Sequence, residues 1–531
     1  MKKTILSLTL MMAFGVQNIN AQNPYLPLWE FIPDGEPYVF DDPDNPGKKR
    51  VYIYGSHDNL VTEYCGRDQV VWSAPVEDLT KWRYDGVIFK STKNAKGELM
   101  NKDGVGDVLY APDVTLVTDK EGKKTYYLYP NNQMGGRNGM IARSSRPDGK
   151  FEVCNWSKDN PNVSDGILGF DPAVFVDDDG RVYGYWGFKR CNGAELDPKT
   201  MATVKPGTKI VEDMIPGYEQ DDTYRFFEAS SMRKIKDKYV YIYSRWTRNG
   251  EEGLPESNYT LAYCYSNNPL GPFKYGGTII DGRAREKQPD GSVIATATPN
   301  GNTHGSICEI NGKWWVFYHR QAGTNEYSRQ AMVAPITVEV TEGENGHVKI
   351  GEAEYTSEGF ATEGLDPFGT YPAGIACYYT GPEPAHAEYP NVVYPGSHTE
   401  IYRINYDGKT DPYDASINRC AMVNNVNGSV FGYKYFNLNK TTGKKNVKLW
   451  IEYDKSETDG TIDIMLDAPS ANNGGQKVGT FNITGKKSDK TTIETTLRGI
   501  ENLKGKHALF LVFHSKESGK NICNVHRLGF K

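Results

Sequence analysis

The sequence predicts an all-β protein, a five-bladed β-propeller followed by a β-sandwich of jelly-roll type. Three observations predict it. Apolar runs are short and alternate with polar residues, with almost no stretch of helical period. They are separated by turn formers, in a chain with 55 Gly, 29 Pro and 35 Tyr. One pattern also recurs: "KKRVYIYGSHD", "GKKTYYLYPNN", "DGRVYGYWGFK", "KDKYVYIYSRW" and "NGKWWVFYHRQ" each join a polar turn to alternating aromatic and aliphatic residues. Aligned on Tyr54, Tyr129, Tyr185, Tyr243 and Tyr318, the repeats lie 75, 56, 58 and 75 residues apart, enough for one four-stranded blade with long loops each.

Four segments follow in order. Residues 1–22, "MKKTILSLTLMMAFGVQNINAQ", have two lysines, an apolar run and a small-residue end, the pattern of a secretory leader, so a secreted or periplasmic protein is expected. The first cysteine is Cys65, which gives no lipid anchor, and no later run is long enough to span a membrane. Residues 23–345 carry the repeats and form the propeller. Residues 346–369, rich in Gly and Glu, read as a closing strand and linker. Residues 370–531 hold evenly spaced strand patterns, "GSVFGYKYFNL", "NVKLWIEY", "GTIDIMLD", "VGTFNIT" and "GKHALFLVF".

Charge and cysteines narrow the partners. The formal charge of −6 falls to about −8 once Lys2 and Lys3 leave with the leader, the wrong sign for nucleic acid. A neutral or polar partner and a monomer are expected. The eight cysteines show no CxxC or Cys/His metal spacing, and no disulfide is assigned.

Polar residues recur one strand upstream of the tyrosines. Asp113 lies 16 before Tyr129, Asp171 14 before Tyr185, Glu228 15 before Tyr243 and His304 14 before Tyr318. Asp34 lies 20 before Tyr54, the excess matching the inserted turn "DDPDNPGKK". At the start of innermost strands these five converge on the propeller axis. Paired carboxyls suit glycoside hydrolysis, one protonated to reach the leaving oxygen, one ionised to activate water. Glu228, between Phe226-Phe227 and Ala229-Ser230-Ser231, has the apolar setting that raises a carboxyl pKa and suits the acid. Asp34, beside a solvated turn, suits the base. His57, Asp58 and Trp72 are either pocket residues or, respectively, a capped strand end and a core aromatic.

"YAPDVTLV", "GFDPAVFVDDDGRVYGYWG", "FFEASSMRKIKDKYVYIYS" and "NGNTHGSICEINGKWWVFYHR" together resemble glycoside hydrolase family 43, over roughly residues 23 to 345. The resemblance implies a five-bladed propeller that hydrolyses with inversion, acting as an α-L-arabinofuranosidase, β-xylosidase or related enzyme. It implies Asp34 as general base, Asp171 as the residue that tunes and orients the acid, and Glu228 as general acid. It implies that His304 helps hold an axial calcium ion through water, that Arg329 reaches the sugar, and that Asp113 and His304 lie at the substrate. The family's first aspartate is usually followed by proline, whereas "PDGEP" leaves Glu36 as a competing base; spacing to Val39-Phe40 favours Asp34.

The C-terminal segment resembles carbohydrate-binding module family 6 in its framework. It departs at the sugar-binding positions: "GKKSDKTT" lacks a tryptophan, and the closing motif is Asn524-Val525-His526-Arg527. Trp450 reads as core. Release of arabinofuranose from plant polysaccharide is the expected activity, with a β-xylosidase or xylanase-type activity, or a non-catalytic sugar-binding propeller, as alternatives.

Overall fold

The computed structural model describes residues 22–531. The expected leader, apart from Gln22, lies outside the described residues. Among these residues the only helices are four three-residue 3-10 turns, and no helix is long and apolar enough to cross a membrane.

Five antiparallel sheets follow in chain order. The first blade is Glu36–Asp41, Lys49–Tyr54, Gln69–Pro75 and Arg83–Phe89; the second is Asp113–Thr118, Lys124–Tyr129, Ala142–Ser144 and Glu152–Val153. The third has three strands, Ala173–Val176, Val182–Trp186 and Asn192–Leu196. The fourth is Phe226–Ile235, Lys238–Thr247, Ser257–Ser266 and Lys274–Asp281, and the fifth Ser306–Ile310, Lys313–Gln321 and Arg329–Ile336. The sequence repeats are the second strands. Three of their five tyrosines, buried between blades, reach across the gap. Tyr54 donates to Pro147 O (2.8 Å), Tyr129 to Met201 O (3.2 Å) and Tyr185 to Pro269 O (3.0 Å), each a turn carbonyl of the next blade. Tyr243 instead donates to Tyr224 O (2.7 Å), just before its own blade.

The ring closes between the first and fifth blades. Gly35 and Gly305 form a parallel bridge; a Cβ on Gly305 would also sit 2.0 Å from Phe317 O on the second strand of its own blade, so only glycine fits there. The Asn23 side-chain amide donates to Val333 O (2.9 Å) and Thr356 O (3.0 Å), tying the N-terminal segment to the fifth blade. This corrects the expectation of a closing strand within 346–369: Val348–Ile350 pairs only with Val338–Val340.

Beyond residue 370 two sheets face each other. One holds Tyr371–Pro372, His398–Thr399, Met422–Val423, Cys523–Phe530, Lys448–Lys455 and Thr491–Thr496; the other holds Tyr378–Thr380, Val430–Asn437, Lys506–His514, Gly460–Leu466 and Gln476–Ile483. Alternation along Lys448–Lys455 sends Leu449 and Ile451 inward, so Trp450 points outward over Gly529; this corrects its reading as core. The sandwich core is continuous with the fourth and fifth blades: Ile242, Leu261, Tyr318 and Met332 share one apolar cluster with Tyr355, Ile375, Phe431 and Tyr433. Arg320, fully buried, donates to Ala376 O (2.8 Å) and Gly374 O (2.5 Å) across that junction. The eight cysteines are all unpaired.

Candidate active site

Strand register places a ring of side chains at the axis. Tyr54 pairs with Glu36, Tyr129 with Asp113 and Tyr185 with Ala173. Two residues before each partner stand Asp34, Ala111 and Asp171. These three, with Glu228 and His304 from the fourth and fifth blades, line a cavity of about 210 Å³. Tyr64, Cys65, Tyr110, Phe170, Phe188, Asn302 and Arg329 complete its wall. The backbone turns sharply to deliver two of the carboxylates. Asp34 (φ 59°) and Asp171 (φ 50°) sit in the left-handed region, which aspartate tolerates better than most residues and which recurs at functional sites.

Asp34 is held as a carboxylate. Ser56 Oγ donates to its Oδ2 at 2.5 Å and Arg329 Nη1 to its Oδ1 at 3.0 Å. Burial pushes its pKa up, but the charge of Arg329 leads a set of neighbours that together bring it below the ordinary value. His319 is neutral, held down to about 3 by burial, and its Nδ1 accepts the Asp34 N–H at 3.2 Å. Arg329 is itself clasped by Asp58, which accepts from Nε and Nη2 at 2.8 Å each.

Glu228 is in the opposite condition. It is buried, its one side-chain partner is the Asn258 amide at 3.3 Å, and its pKa is pushed up to about 8 by burial first and by the Asp171 charge second. Asp171 accepts from Asn131 Nδ2 (2.9 Å) and from the Ala229 N–H (3.0 Å), which fixes it one peptide from Glu228. His304 Nδ1 lies 3.5 Å from Asp171 Oδ2. Burial opposes its charge, but Asp171, Asp34 and Glu36 outweigh burial and push its pKa up to about 9.

Asp113 does not reach the cavity, which corrects its expected place at the substrate. Its register position is that of Glu36, one layer below the ring. Its Oδ1 accepts from Tyr38 (2.6 Å) and the Val114 N–H (2.8 Å), its Oδ2 from the Val174 N–H (2.7 Å), and it is 1% exposed. Glu36 is likewise below the cavity, accepting from Arg233 Nη2 (2.8 Å) and Ser231 Oγ (3.2 Å). Asp58 acts through Arg329, His57 pairs with Asp68 and Glu30, and Trp72 is core, its Nε1 donating to Glu30.

Several site residues escaped sequence reasoning. Ser56 and Asn131, which hold Asp34 and Asp171, each stand two residues after a repeat tyrosine, so counting forward along the repeats would have found them. Phe170, Phe188, Tyr64 and Asn302 lie on loops and carry no such signal.

Below the ring, Glu36 Oε1 and His304 Nε2 face each other at 3.9 Å, both buried and without a hydrogen-bond partner among the described residues. That gap is too long for a hydrogen bond and suits one bridging water or ion. Glu36 would hold a calcium ion there through its carboxylate and His304 through a water, the rest of its roughly six to eight oxygen ligands being water. Among the described residues no group of three or more His, Cys, Asp or Glu side chains forms a denser cage. The residues therefore fit a largely hydrated ion, whose charge a protonated His304 would oppose.

Residues 41–341 match the family model for glycosyl hydrolases family 43. The chain belongs to this family. A xylosidase/arabinosidase of Thermoclostridium stercorarium is 35% identical over 456 residues, covering 80% of this chain and 84% of the relative. An arabinoxylan arabinofuranohydrolase of Paenibacillus polymyxa is 25% identical, over 97% of this chain and 77% of its own. A crystal structure of a family 43 arabinoxylan arabinofuranohydrolase from Bacillus subtilis, in complex with cellotetraose, covers 96% of this chain and 97% of its own at 21% identity and a TM-score of 0.45. As a family 43 member the chain is a glycoside hydrolase. The family match begins at residue 41, so the position of Asp34 at the axis rests on the geometry of the ring.

Proposed function

We propose that the chain is an exported, inverting glycosidase that removes α-L-arabinofuranose from arabinoxylan-type polysaccharide or its oligosaccharides. One observation carries the reading: a single cavity holds two buried carboxyls driven apart, Asp34 below its ordinary pKa and Glu228 up to about 8. At neutral pH the first is ionised and the second protonated. Asp34 is the base. Each of its oxygens accepts one hydrogen bond from the protein and keeps a lone pair for the attacking water. Glu228 is the acid, with Oε1 on Asn258 and Oε2 left for the proton. Asp171 keeps Glu228 protonated through its charge and is itself held by Asn131 and Ala229. Arg329 and His304 place positive charge beside the sugar. A calcium ion held between Glu36 and His304 would supply further positive charge at the axis, favouring the surrounding carboxylates in their ionised form.

The cavity volume of about 210 Å³ is below the roughly 300–1,000 Å³ of drug-sized pockets, so it takes one small ring rather than a chain segment. This supports removal of a single terminal or side-chain sugar. The names of the two relatives support a pentose, and "xylosidase/arabinosidase" keeps β-xylosidase activity as the second reading. Both readings are tested by comparing hydrolysis of nitrophenyl α-L-arabinofuranoside and nitrophenyl β-D-xyloside, then arabinose release from arabinoxylan. Preference for the arabinoside with arabinose as the polymer product is expected. Preference for the xyloside favours the second reading, and activity on neither removes both.

A further inference from the structure

The sandwich reaches the rim of the catalytic cavity. Its hairpin, His386–Glu388 with Asn391–Val393, lies along the loop between the last two strands of the fifth blade. Glu326 N–H donates to Pro390 O at 3.0 Å, Val392 N–H donates to Thr324 O at 2.9 Å, and Asn325 bridges Asn391. That loop leads directly into Arg329. Glu326, 4% exposed, accepts the hydroxyl of Tyr64, a cavity residue. The Tyr64 ring lies 5.0 Å from the Arg329 guanidinium and meets Tyr327 edge-on at 4.9 Å. One wall of the cavity is thus built on a loop that the sandwich braces.

At the turn of the hairpin stands Tyr389, 71% exposed, its hydroxyl beside that of Tyr327. An aromatic ring left so open, on a paired hairpin and next to a cavity, offers a flat apolar face with a polar tip. The cavity takes one ring, so the rest of a polymer passes over its rim. The negative net charge of the chain favours a neutral polymer there. We propose that Tyr389 is a substrate-binding residue, a stacking platform for a sugar unit of the polysaccharide outside the cavity, and that through it the sandwich sets preference for polymer over small glycosides. This rests on the pentose-polymer reading above.

The test compares kcat/KM on the polymer with kcat/KM on the better nitrophenyl glycoside, for the wild type, Tyr389→Ala and Tyr389→Phe. In Tyr389→Ala the ratio of polymer to small-substrate activity is expected to fall roughly three- to tenfold, through KM, the size of one lost aromatic contact. Tyr389→Phe keeps the ring and is expected to keep the ratio. Melting curves check that both variants fold, which their exposure favours. An unchanged ratio in Tyr389→Ala overturns the proposal, and so does an equal fall on both substrates, which would reduce the hairpin to a brace. A wild type inactive on every pentoside removes the functional reading, and this inference with it.

Discussion

Arg329 serves two carboxylates at once, donating to Asp34 through Nη1 at 3.0 Å while Nε and Nη2 clasp Asp58 at 2.8 Å. The planar fork of arginine makes this possible, and a lysine ammonium cannot reproduce it. Asp58 is fully enclosed, so its charge depends on that clasp.

Arg329→Lys is therefore expected to lower kcat at least tenfold and to move the acidic limb of the pH profile upward, because Asp34 loses part of the charge that holds it ionised. Arg329→Met is expected to cost about 3–5 kcal/mol of stability by leaving Asp58 buried and unpaired. A pH profile of kcat/KM with the acidic limb in its wild-type place would show that Arg329 does not set the ionisation of Asp34.

The alkaline limb belongs to Glu228. The acid must be protonated, so activity is expected to decline as pH rises through about 8. Glu228→Gln is expected to lose about a thousandfold or more on natural substrates and to abolish that limb on substrates with activated leaving groups, where the proton matters less. Near-wild-type turnover of a natural substrate by Glu228→Gln would end the assignment.

The same shift makes a stability statement. A carboxyl raised from 4.5 to about 8 by folding contributes stability that is fully present below pH 4.5 and is lost as pH rises through 8. Glu228→Gln has no charge to bury, so its melting temperature relative to the wild type is expected to climb between pH 4.5 and 8 and then level off. The gain is on the order of a few kcal/mol. Parallel melting curves across that range would contradict the raised value.

Asp34 and Glu36 are two residues apart and separable. Asp34→Asn is expected to abolish turnover even with an activated leaving group, since the water still needs a base, and azide is expected to restore some activity to Asp34→Ala as a glycosyl azide of inverted configuration. Glu36→Gln is expected to act mainly on stability, because Glu36 neutralises Arg233 away from the cavity. The opposite ranking of the two variants would move the base.

A calcium ion bound beside His304 would be opposed by the charge of the protonated imidazole. Since His304 favours its proton up to about pH 9, added calcium is expected to raise the melting temperature more at pH 9.5 than at pH 6. No calcium effect at either pH would leave water as the bridge between Glu36 and His304.

Period-2 patterning and the tyrosine repeats revealed the architecture because both follow from strand geometry: alternate residues share a face, and the second strand of each blade buries its tyrosine. The ring of Asp34, Asp171, Glu228 and His304 was visible for the same reason. Asp113 misled because register, not distance from the tyrosine, decides which layer a residue occupies; the long turn in the first blade hid that Asp113 corresponds to Glu36. Trp450 misled because its flanking Leu449 and Ile451 are apolar, although the alternation that buries them turns it outward. The loop residues Phe188 and Tyr64 follow no period, and only the folded chain brings them to the cavity.

The Arg320 guanidinium, sealed at the junction of propeller and sandwich with Gly374 and Ala376 carbonyls for partners, makes the C-terminal half something other than a detachable accessory. A chain ended near residue 345 would leave that cation only Gln330 Oε1 (3.0 Å) as acceptor and expose the apolar flank of the fourth and fifth blades, so in this chain the sandwich is part of what keeps the propeller buried.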